Sequence, residues 1–337
     1  MREERSGGVR DAVAERPEQE ARERSVALAA VSIVVTGGAG FIGANLCRRL
    51  SGSGETVVAF DDLSSGDRDN LRDLDVTLVE GTILDADALD RVVRDATAIV
   101  HLAARPSVPR SIADPMASHL VNATGTVEVL EAARRAGNVH VIVASSSSVY
   151  GANPTLPKHE DLATVPLSPY GASKLATEGY ALAYQESFGL PALAFRFFNV
   201  FGPLQPAGHA YAAVVPAFVS AALAGEPLVV HGDGKQTRDF TFVDTVTEVI
   251  ADAITRRVTC PAPLNLAFGT RTDLLSLIGE LESVLGTRLA VDHVESRAGD
   301  VRHSQADSSR LQELFPDVEP APLADALRAT VDWFRAQ

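Results

Sequence analysis

The chain has 337 residues, 46% of them hydrophobic and 22% charged, which are ordinary values for a folded globular protein. They exclude a disordered, collagen-like or disulfide-stapled chain. The net charge of −14, without a basic stripe, argues against nucleic acid and anionic membranes as partners. No apolar stretch approaches the ~20 residues of a membrane span, and no apolar signal-peptide segment stands at the N-terminus.

Within residues 1–30, which contain no aromatic residue, positions 2–24 alternate Arg and Glu. A solvated leader without a catalytic role is predicted, and a short docking helix is the alternative. The two cysteines, Cys47 and Cys260, lie far apart and lack neighbouring metal ligands. They can form a disulfide, but free thiols in a reducing cytoplasm are the favoured interpretation, and no metal site is expected.

Strands and helices alternate from Val31 onward. Short β-branched runs predict six strands, at 31–36, 56–60, 76–79, 98–102, 139–144 and 192–197. Helical patterns occupy 41–50, 84–94 and 115–136. This alternation predicts an α/β fold, a Rossmann-like, doubly wound parallel sheet with helices on both faces.

The pattern becomes less regular after Asn199. Helices are predicted at 214–224, 274–285 and 323–334, with a β-like piece at 228–231. We therefore expect a dinucleotide-binding domain over 31–199. A smaller substrate-binding domain over 200–337 is expected to interleave with it and return in part to the sheet.

A glycine-rich turn lies between the first predicted strand and helix. Gly37, Gly40 and Gly43 permit a tight turn, close approach of a pyrophosphate and close packing of the helix, whose N-terminus favours phosphate. Asp61 ends the second strand, where its carboxylate can accept hydrogen bonds from an adenosine ribose. It would repel a 2′-phosphate, so the pattern favours NAD over NADP. A turn without a ligand is the alternative.

A second constellation carries acid–base chemistry. Tyr170 and Lys174 stand four residues apart, after Ser168-Pro169, a typical helix N-cap and first residue. The ammonium next to the phenol favours tyrosinate. The serine run 145–148 follows the fifth strand, at the edge of the sheet where such folds bind ligands.

Six ordered motifs together resemble the extended short-chain dehydrogenase/reductase family, and within it the nucleotide-sugar epimerase/dehydratase branch. They are TGGAGFIG (36–43), HLAA (101–104), SSSSVYG (145–151), SPYGASK (168–174), RFFNVFGP (196–203) and TRDFTFVD (237–244). The resemblance runs from about residue 31 to the C-terminus.

The resemblance implies Ser146 as the catalytic serine, Tyr170 as the acid/base and Lys174 as the group that holds the ribose and lowers the tyrosine pKa. Dehydratases of the family carry an Asp-Glu pair where this chain has Ser147 and Ser148. The departure favours a 4-epimerase, which needs one base at C4 and a transient 4-keto sugar that turns over before the hydride returns from NAD.

The resemblance also implies a set of NAD-contacting residues. Besides the three glycines, Asp61, Tyr170 and Lys174, they are Phe41, Ile42, Asp62, Leu63, Ser64, Ser65, Gly66, Thr82, Ile83, Leu102, Ala103, Ala104, Asn122 and Phe198. Thr82 replaces an aspartate that commonly contacts the adenine.

The substrate implied is a UDP-sugar. By resemblance, Arg238 and Arg297 bracket its pyrophosphate, Asp300 holds the uridine ribose or an arginine, Asn199 contacts a phosphate or the sugar, and His231 stacks on uracil. Ser304 occupies a gate position, where a small side chain admits an N-acetyl group. UDP-GlcNAc/GalNAc, with or without UDP-Glc/Gal, is therefore expected.

Three alternatives stay open within this interpretation: a UDP-glucuronate 4-epimerase, another nucleotide-sugar oxidoreductase or dehydratase, and a non-catalytic NAD-binding sensor. The resemblance further implies a homodimer, formed through helices within 115–136 and 169–188 that pack as a four-helix bundle.

Overall fold

The computed structural model describes residues 32–207, 213–295 and 302–337. Its strands are β1 Ser32–Thr36, β2 Val57–Asp61, β3 Thr77–Glu80, β4 Ala96–His101, β5 His140–Ser146, β6 Ala192–Phe197, β7 Val200–Phe201, β8 Leu228–His231, β9 Thr237–Arg238, β10 Thr241–Phe242, β11 Leu264–Leu266, β12 Thr272–Asp273 and β13 Val291–Val294. Its α-helices are α1 Phe41–Gly52, α2 Ala86–Val93, α3 Val108–Ala113, α4 Pro115–His119, α5 Gly125–Arg135, α6 Pro169–Phe188, α7 Val214–Ala224, α8 Val243–Thr255, α9 Leu274–Leu285, α10 Ser309–Leu314 and α11 Leu323–Arg335.

The main sheet contains seven parallel strands in the order β11-β6-β5-β4-β1-β2-β3. The predicted Rossmann-like parallel sheet is confirmed, and the six predicted strands each lie within two residues of an observed strand. The chain runs outward from β1 in both directions, so a crevice opens between the carboxyl ends of β1 and β4, where such sheets bind ligands.

Helices cover both faces of this sheet. Along β1, Val35 packs into the hydrophobic cluster beneath α1 and α8, and Val34 packs into the cluster beneath α2, α5 and α6. Both side chains are fully buried. A strand that is buried on both faces reads as a continuous apolar run, which is why the sequence signals it so clearly.

The long helix predicted over 115–136 is interrupted. It forms as α4, a π-helical turn at Leu120–Thr124, and α5. The Asn122 carbonyl inside this turn accepts hydrogen bonds from two hydroxyls, Thr126 Oγ1 at 2.6 Å and Thr177 Oγ1 at 3.0 Å. These hydroxyls stabilise the wider turn, a feature that helical periodicity does not reveal.

The C-terminal part of the chain contributes to two cores. Its own core, which includes Phe218, Leu277 and Leu327, lies among α7, α9 and α11. Strand β11 pairs with β6 at the edge of the main sheet, and Val246 and Ile250 of α8 pack against α1. The sequence analysis did not predict α8.

Both cysteine thiols are free, so the disulfide alternative is wrong. Cys47 is buried under the glycine turn, and Cys260 is half-buried rather than buried. Within the described ranges, no helix is long and apolar enough to cross a bilayer.

Candidate active site

The glycine turn brings the start of α1 to the crevice. Gly37 has φ +71°, and a Cβ on it would stand 2.7 Å from Ala103 N, so only glycine fits against the segment that follows β4. Gly40 is the N-cap of α1, and no described side chain caps this helix. A helix start with uncapped N–H groups suits a diphosphate.

Asp61 lies at the carboxyl end of β2 and is 7% exposed. Its Oδ2 accepts from Ala39 N and its Oδ1 from Leu63 N, both at 2.9 Å. Burial raises the pKa of this carboxyl, and the two backbone hydrogen bonds oppose that rise. Asp61 therefore joins the glycine turn to the loop that follows β2.

The other predicted NAD residues fall into three environments. Asp62, Ser64, Ser65 and Thr82 are exposed, whereas Phe41, Ile42, Leu63, Gly66, Leu102, Ala103 and Ala104 are half-buried. Ile83 and Asn122 are buried side chains. Phe198 is fully buried, with its ring 6.2 Å from that of Tyr150, so it can offer a ligand only its backbone.

Ser146 and Tyr170 come from neighbouring elements at the end of β5. Ser146 Oγ accepts from Ser148 N at 3.1 Å and caps the short 3-10 turn Ser147–Val149. Helix α6 begins as predicted, because Ser168 Oγ accepts from Gly171 N at 3.1 Å and Pro169 is its first residue.

Burial is the largest cause of the pKa shift in both Tyr170 and Lys174. Burial raises the pKa of Tyr170, and a hydrogen bond with Ser146 offsets this rise only in part. Lys174 is 5% exposed and donates from Nζ to Ala144 O at 2.7 Å. Burial lowers its pKa to about 8. Desolvation is thus the largest influence on both groups, and the lowering of the tyrosine pKa by Lys174 stays a prediction.

His101 is a buried group to which the sequence analysis gave no role. Its Nδ1 lies 2.8 Å from Thr36 Oγ1, and its Nε2 lies 3.1 Å from Thr126 Oγ1. Burial, with the charge of Lys174, lowers its pKa to about 3, so the ring is neutral. It links the end of β1 to α5.

Asn122 shapes the loop after β4. Its Oδ1 accepts from Arg105 N at 2.7 Å, and its Nδ2 donates to Arg105 O at 3.3 Å and to Ser173 Oγ at 2.9 Å. This buried amide holds the backbone of the loop against α6.

The structure describes four of the predicted substrate residues, each with a hydrogen-bond partner. Asn199 Nδ2 donates to Asp239 O at 3.1 Å, and Arg238 donates to Thr237 O at 2.9 Å. His231 Nδ1 lies 3.0 Å from Glu295 O. Half-buried Ser304 donates its backbone N–H to Thr237 O at 3.0 Å. Arg297 and Asp300 lie outside the described residues.

Asp239, which the sequence analysis passed over, organises this region. It is fully buried, and its carboxylate accepts from Thr270 Oγ1 at 2.8 Å and from Ala306 N at 3.0 Å. Burial raises its pKa. These contacts join the residue after β9 to the segment that carries Ser304. The two positions, Asp239 and Ala306, are 67 residues apart, so no local motif predicts the contact.

The switch-point crevice, the glycine turn and the Ser146–Tyr170–Lys174 group define a Rossmann-type enzyme that uses a dinucleotide. The sequence model of the NAD dependent epimerase/dehydratase family matches residues 33–267, and the chain belongs to this family.

Named relatives cover almost the whole chain. A UDP-glucose 4-epimerase of Mycolicibacterium smegmatis is 37% identical over 312 residues, covering 90% of this chain and 98% of the relative. A UDP-N-acetylglucosamine 4-epimerase from Methanobrevibacter ruminantium, whose structure has been solved, is 36% identical with a TM-score of 0.86. The match covers 91% of this chain and 99% of that protein's chain. A UDP-glucuronic acid 4-epimerase from Bacillus cereus, solved with UDP-glucuronic acid and NAD, is 30% identical with a TM-score of 0.82. This match also covers 91% of this chain and 99% of the other chain.

Proposed function

We propose that the protein is an NAD-dependent 4-epimerase of UDP-hexoses, which interconverts UDP-GlcNAc and UDP-GalNAc and also accepts UDP-Glc and UDP-Gal. One observation carries the proposal: a Ser146–Tyr170 pair lies at the carboxyl end of β5, two strands from β1 and its glycine turn, without a carboxylate in the serine loop. The family and the named relatives support it.

NAD fits the observed cradle. The uncapped start of α1, at Phe41, Ile42 and Gly43, is proposed to hold the diphosphate, and Asp61 the adenosine ribose. The loop of residues 62–66, Thr82 with Ile83, and the segment 102–104 would line the adenosine and nicotinamide ends. Asn122, Tyr170, Lys174 and the backbone at Phe198 complete the proposed set. When bound, NAD supplies a reversible hydride acceptor.

Tyr170 is proposed to move the proton. Its phenolate takes the proton of the sugar 4-hydroxyl and later returns it, while Ser146 donates a hydrogen bond to the same sugar oxygen. Because burial favours the neutral phenol, the phenolate needs a nearby cation, and Lys174 is the ammonium closest in sequence on the same helix face.

The serine loop separates epimerisation from dehydration. Eliminating water requires a further acid and base next to the sugar, and carboxylates are the usual groups. Ser147 and Ser148 provide only hydroxyls, and Ser148 is already hydrogen-bonded to Ser146 at 3.1 Å. These contacts favour the simpler chemistry at C4.

The C-terminal residues are proposed to hold the nucleotide sugar. Arg238 and Arg297 would neutralise the diphosphate, because planar guanidinium groups match phosphate oxygens. Asn199, His231 and Asp300 would contact the phosphate, base and ribose. Ser304, as a small gate residue, would leave room for an N-acetyl group.

We also propose a division into two parts, a cellular location and an oligomeric state. The boundary at Asn199 separates an NAD-binding part, 31–199, from a substrate-binding part, 200–337; the leader predicted over 1–30 lies outside the described residues. The free thiols of Cys47 and Cys260 support a cytoplasmic location. Exposed apolar side chains on α4 and α6 support a homodimer.

Proton NMR of the purified protein without added cofactor, with UDP-GlcNAc and UDP-Glc in separate tubes, tests the function. Formation of UDP-GalNAc would support the epimerase, bound NAD and the open gate together. Conversion of UDP-Glc alone would keep the mechanism and contradict the role of Ser304. No conversion in either tube after NAD is added would contradict the proposal and direct the test to UDP-glucuronate.

A further inference from the structure

Helix α6 starts with few backbone donors to satisfy. Pro169 has no N–H, and the Gly171 N–H is taken by Ser168 Oγ at 3.1 Å. The remaining donor of this first turn is the N–H of Tyr170 itself. Its partner therefore decides where the backbone of the proposed acid/base is fixed.

That partner is Ser111, which lies 59 residues earlier in the chain. Ser111 Oγ accepts from Tyr170 N at 3.0 Å and donates its own hydrogen to Val108 O at 2.7 Å. The side chain is 0% exposed. Since its single hydrogen goes to Val108, the oxygen presents a lone pair to Tyr170, and both atoms have a defined role.

The residue that begins the helix carrying Ser111 has an unusual backbone conformation. Ser107, the N-cap of α3, has φ +103°, a region that favours glycine, and its Oγ accepts from Arg110 N at 3.3 Å. Non-glycine residues persist at such angles where the surrounding contacts impose them. Ser111 lies at the end of this constrained turn, against α6.

The other side of Tyr170 is fixed as well. Its carbonyl accepts from Ser173 Oγ at 2.8 Å, and Ser173 Oγ in turn accepts from Asn122 Nδ2 at 2.9 Å. A Cβ on the next residue, Gly171, would stand 2.8 Å from Ser148 O, so α6 packs directly on the serine loop. The peptide groups on both sides of Tyr170 Cα are therefore bonded to buried side chains.

We propose that Ser111 is a positioning residue for Tyr170. By fixing the first turn of α6, it places the phenol within hydrogen-bonding reach of Ser146. The inference rests on the proposed role of Tyr170 as the acid/base. It makes α3, which the sequence analysis did not connect with catalysis, part of the active site.

The test compares Ser111→Ala with Ser118→Ala in the NAD-loaded full chain. Ser118 is a matched control: it is also 0% exposed, and its Oγ donates to a preceding backbone carbonyl, Asp114 O, at 3.2 Å. Both variants thus lose a buried hydroxyl with a local helical bond, but only Ser111 bonds to Tyr170. The kcat, the KM and the pH profile of UDP-sugar epimerisation are measured for each.

Ser111→Ala is expected to lower kcat at least tenfold while KM stays within twofold of the wild-type value. The acidic limb of its kcat profile should move to higher pH, because a displaced phenol loses the Ser146 hydrogen bond that lowers its pKa. Ser118→Ala should keep the wild-type kcat and profile. Equal kcat values and profiles in the two variants would overturn the inference.

Two further measurements keep the result interpretable. If Ser111→Ala does not fold, Ser111→Thr, which retains the hydroxyl, is compared with Ser111→Cys, whose thiol is a weak acceptor; equal kcat values and pH profiles would again overturn the inference. Amide hydrogen exchange at Tyr170 is independent of the substrate, and only the Ser111 change should accelerate it. If the wild-type protein epimerises no nucleotide sugar, the proposed function fails, whereas unchanged exchange in Ser111→Ala refutes the contact itself.

Discussion

Tyr170 has its backbone fixed on both sides, yet burial disfavours its charged form. The structure therefore specifies where the phenol lies more firmly than it specifies its protonation state. A reactive phenolate requires the surrounding charges to offset desolvation. This combination suits a group that must alternate between phenol and phenolate in each turnover.

Tyr170→Phe removes the proton carrier and keeps the ring that packs in the site. Epimerase turnover is expected to fall by at least about a hundredfold, because general acid–base transfer contributes roughly 10²–10⁴-fold to rates and no other described side chain in the serine loop is a base. The purified variant should still be folded and contain NAD, measured by circular dichroism and by absorbance of the released cofactor. Near-normal turnover would refute the mechanism.

His101 predicts how stability depends on pH. Its pKa is about 3 in the folded protein and about 6.5 in an unfolded chain, so the folded state binds fewer protons between these values. The contribution of neutral His101 to the free energy of unfolding is complete above pH 6.5 and is lost as the pH falls toward 3. The shift corresponds to roughly 4–5 kcal/mol over the whole window.

Denaturant unfolding from pH 7 to pH 4 checks this expectation. The free energy of unfolding should fall with decreasing pH, and His101→Gln should flatten the dependence. Exposed His119, changed to Gln, is the control and should leave the slope unaltered. A steep slope that persists in His101→Gln would assign the effect to other groups, such as His140, whose pKa burial also lowers.

Residues in the site differ in how visible they are in the sequence. Ser146, Tyr170 and Lys174 could be predicted because short spacings at a strand end and on a helix are local signals. Ser111, His101 and Asp239 act through contacts across dozens of residues, between elements whose relative positions only the folded chain defines. The direction of the pKa shift of Tyr170 was likewise not readable from the sequence, because it depends on burial, which tertiary packing decides.

At the scale of elements, the segment 302–307 is hydrogen-bonded on two sides. On one side, Ser304 N donates to Thr237 O at 3.0 Å. On the other, Lys158 N donates to Gln305 O and Asp307 N donates to Lys158 O, both at 2.8 Å. A segment held in this way cannot retreat readily from a larger side chain. The size of residue 304 should therefore affect the substrate directly.

Ser304→Tyr is expected to reduce kcat/KM for UDP-GlcNAc at least tenfold more than kcat/KM for UDP-Glc, because the ring would occupy the space proposed for the N-acetyl group. Competition between the two substrates, followed by NMR, measures the ratio. Ser309→Tyr, at an exposed position of the neighbouring α10, serves as control. An unchanged ratio in Ser304→Tyr would contradict the gate assignment.

At the scale of the whole molecule, exposed apolar and small side chains lie on α4, on the π-helical turn that follows it and on α6. Met116 is 64% exposed, and Leu120 and Tyr180 are each 44% exposed. Ala172 and Ala183 on the outer side of α6 are exposed as well. Small and apolar residues on two adjacent helices permit close packing against a second copy, as the proposed four-helix bundle requires.

Tyr180→Glu places a charge in the centre of this surface and is expected to convert a dimer into a monomer, since an unpaired charge is costly to bury. Sedimentation velocity gives the mass of each species. Val229→Glu, at a 52% exposed apolar position of β8, should leave the mass unchanged. A monomeric wild-type protein would contradict the proposed assembly.

The pairing of β11 with β6 has a consequence for how the chain is made. Strand β6 ends at Phe197, and its partner begins at Leu264, so roughly 70 residues separate them. At about 5–20 residues per second, a ribosome needs several seconds to deliver β11 after β6 has emerged. During that interval the nascent sheet has an open, apolar edge that can pair with other chains. The N-terminal part is therefore expected to be prone to aggregation until the C-terminal part supplies β11.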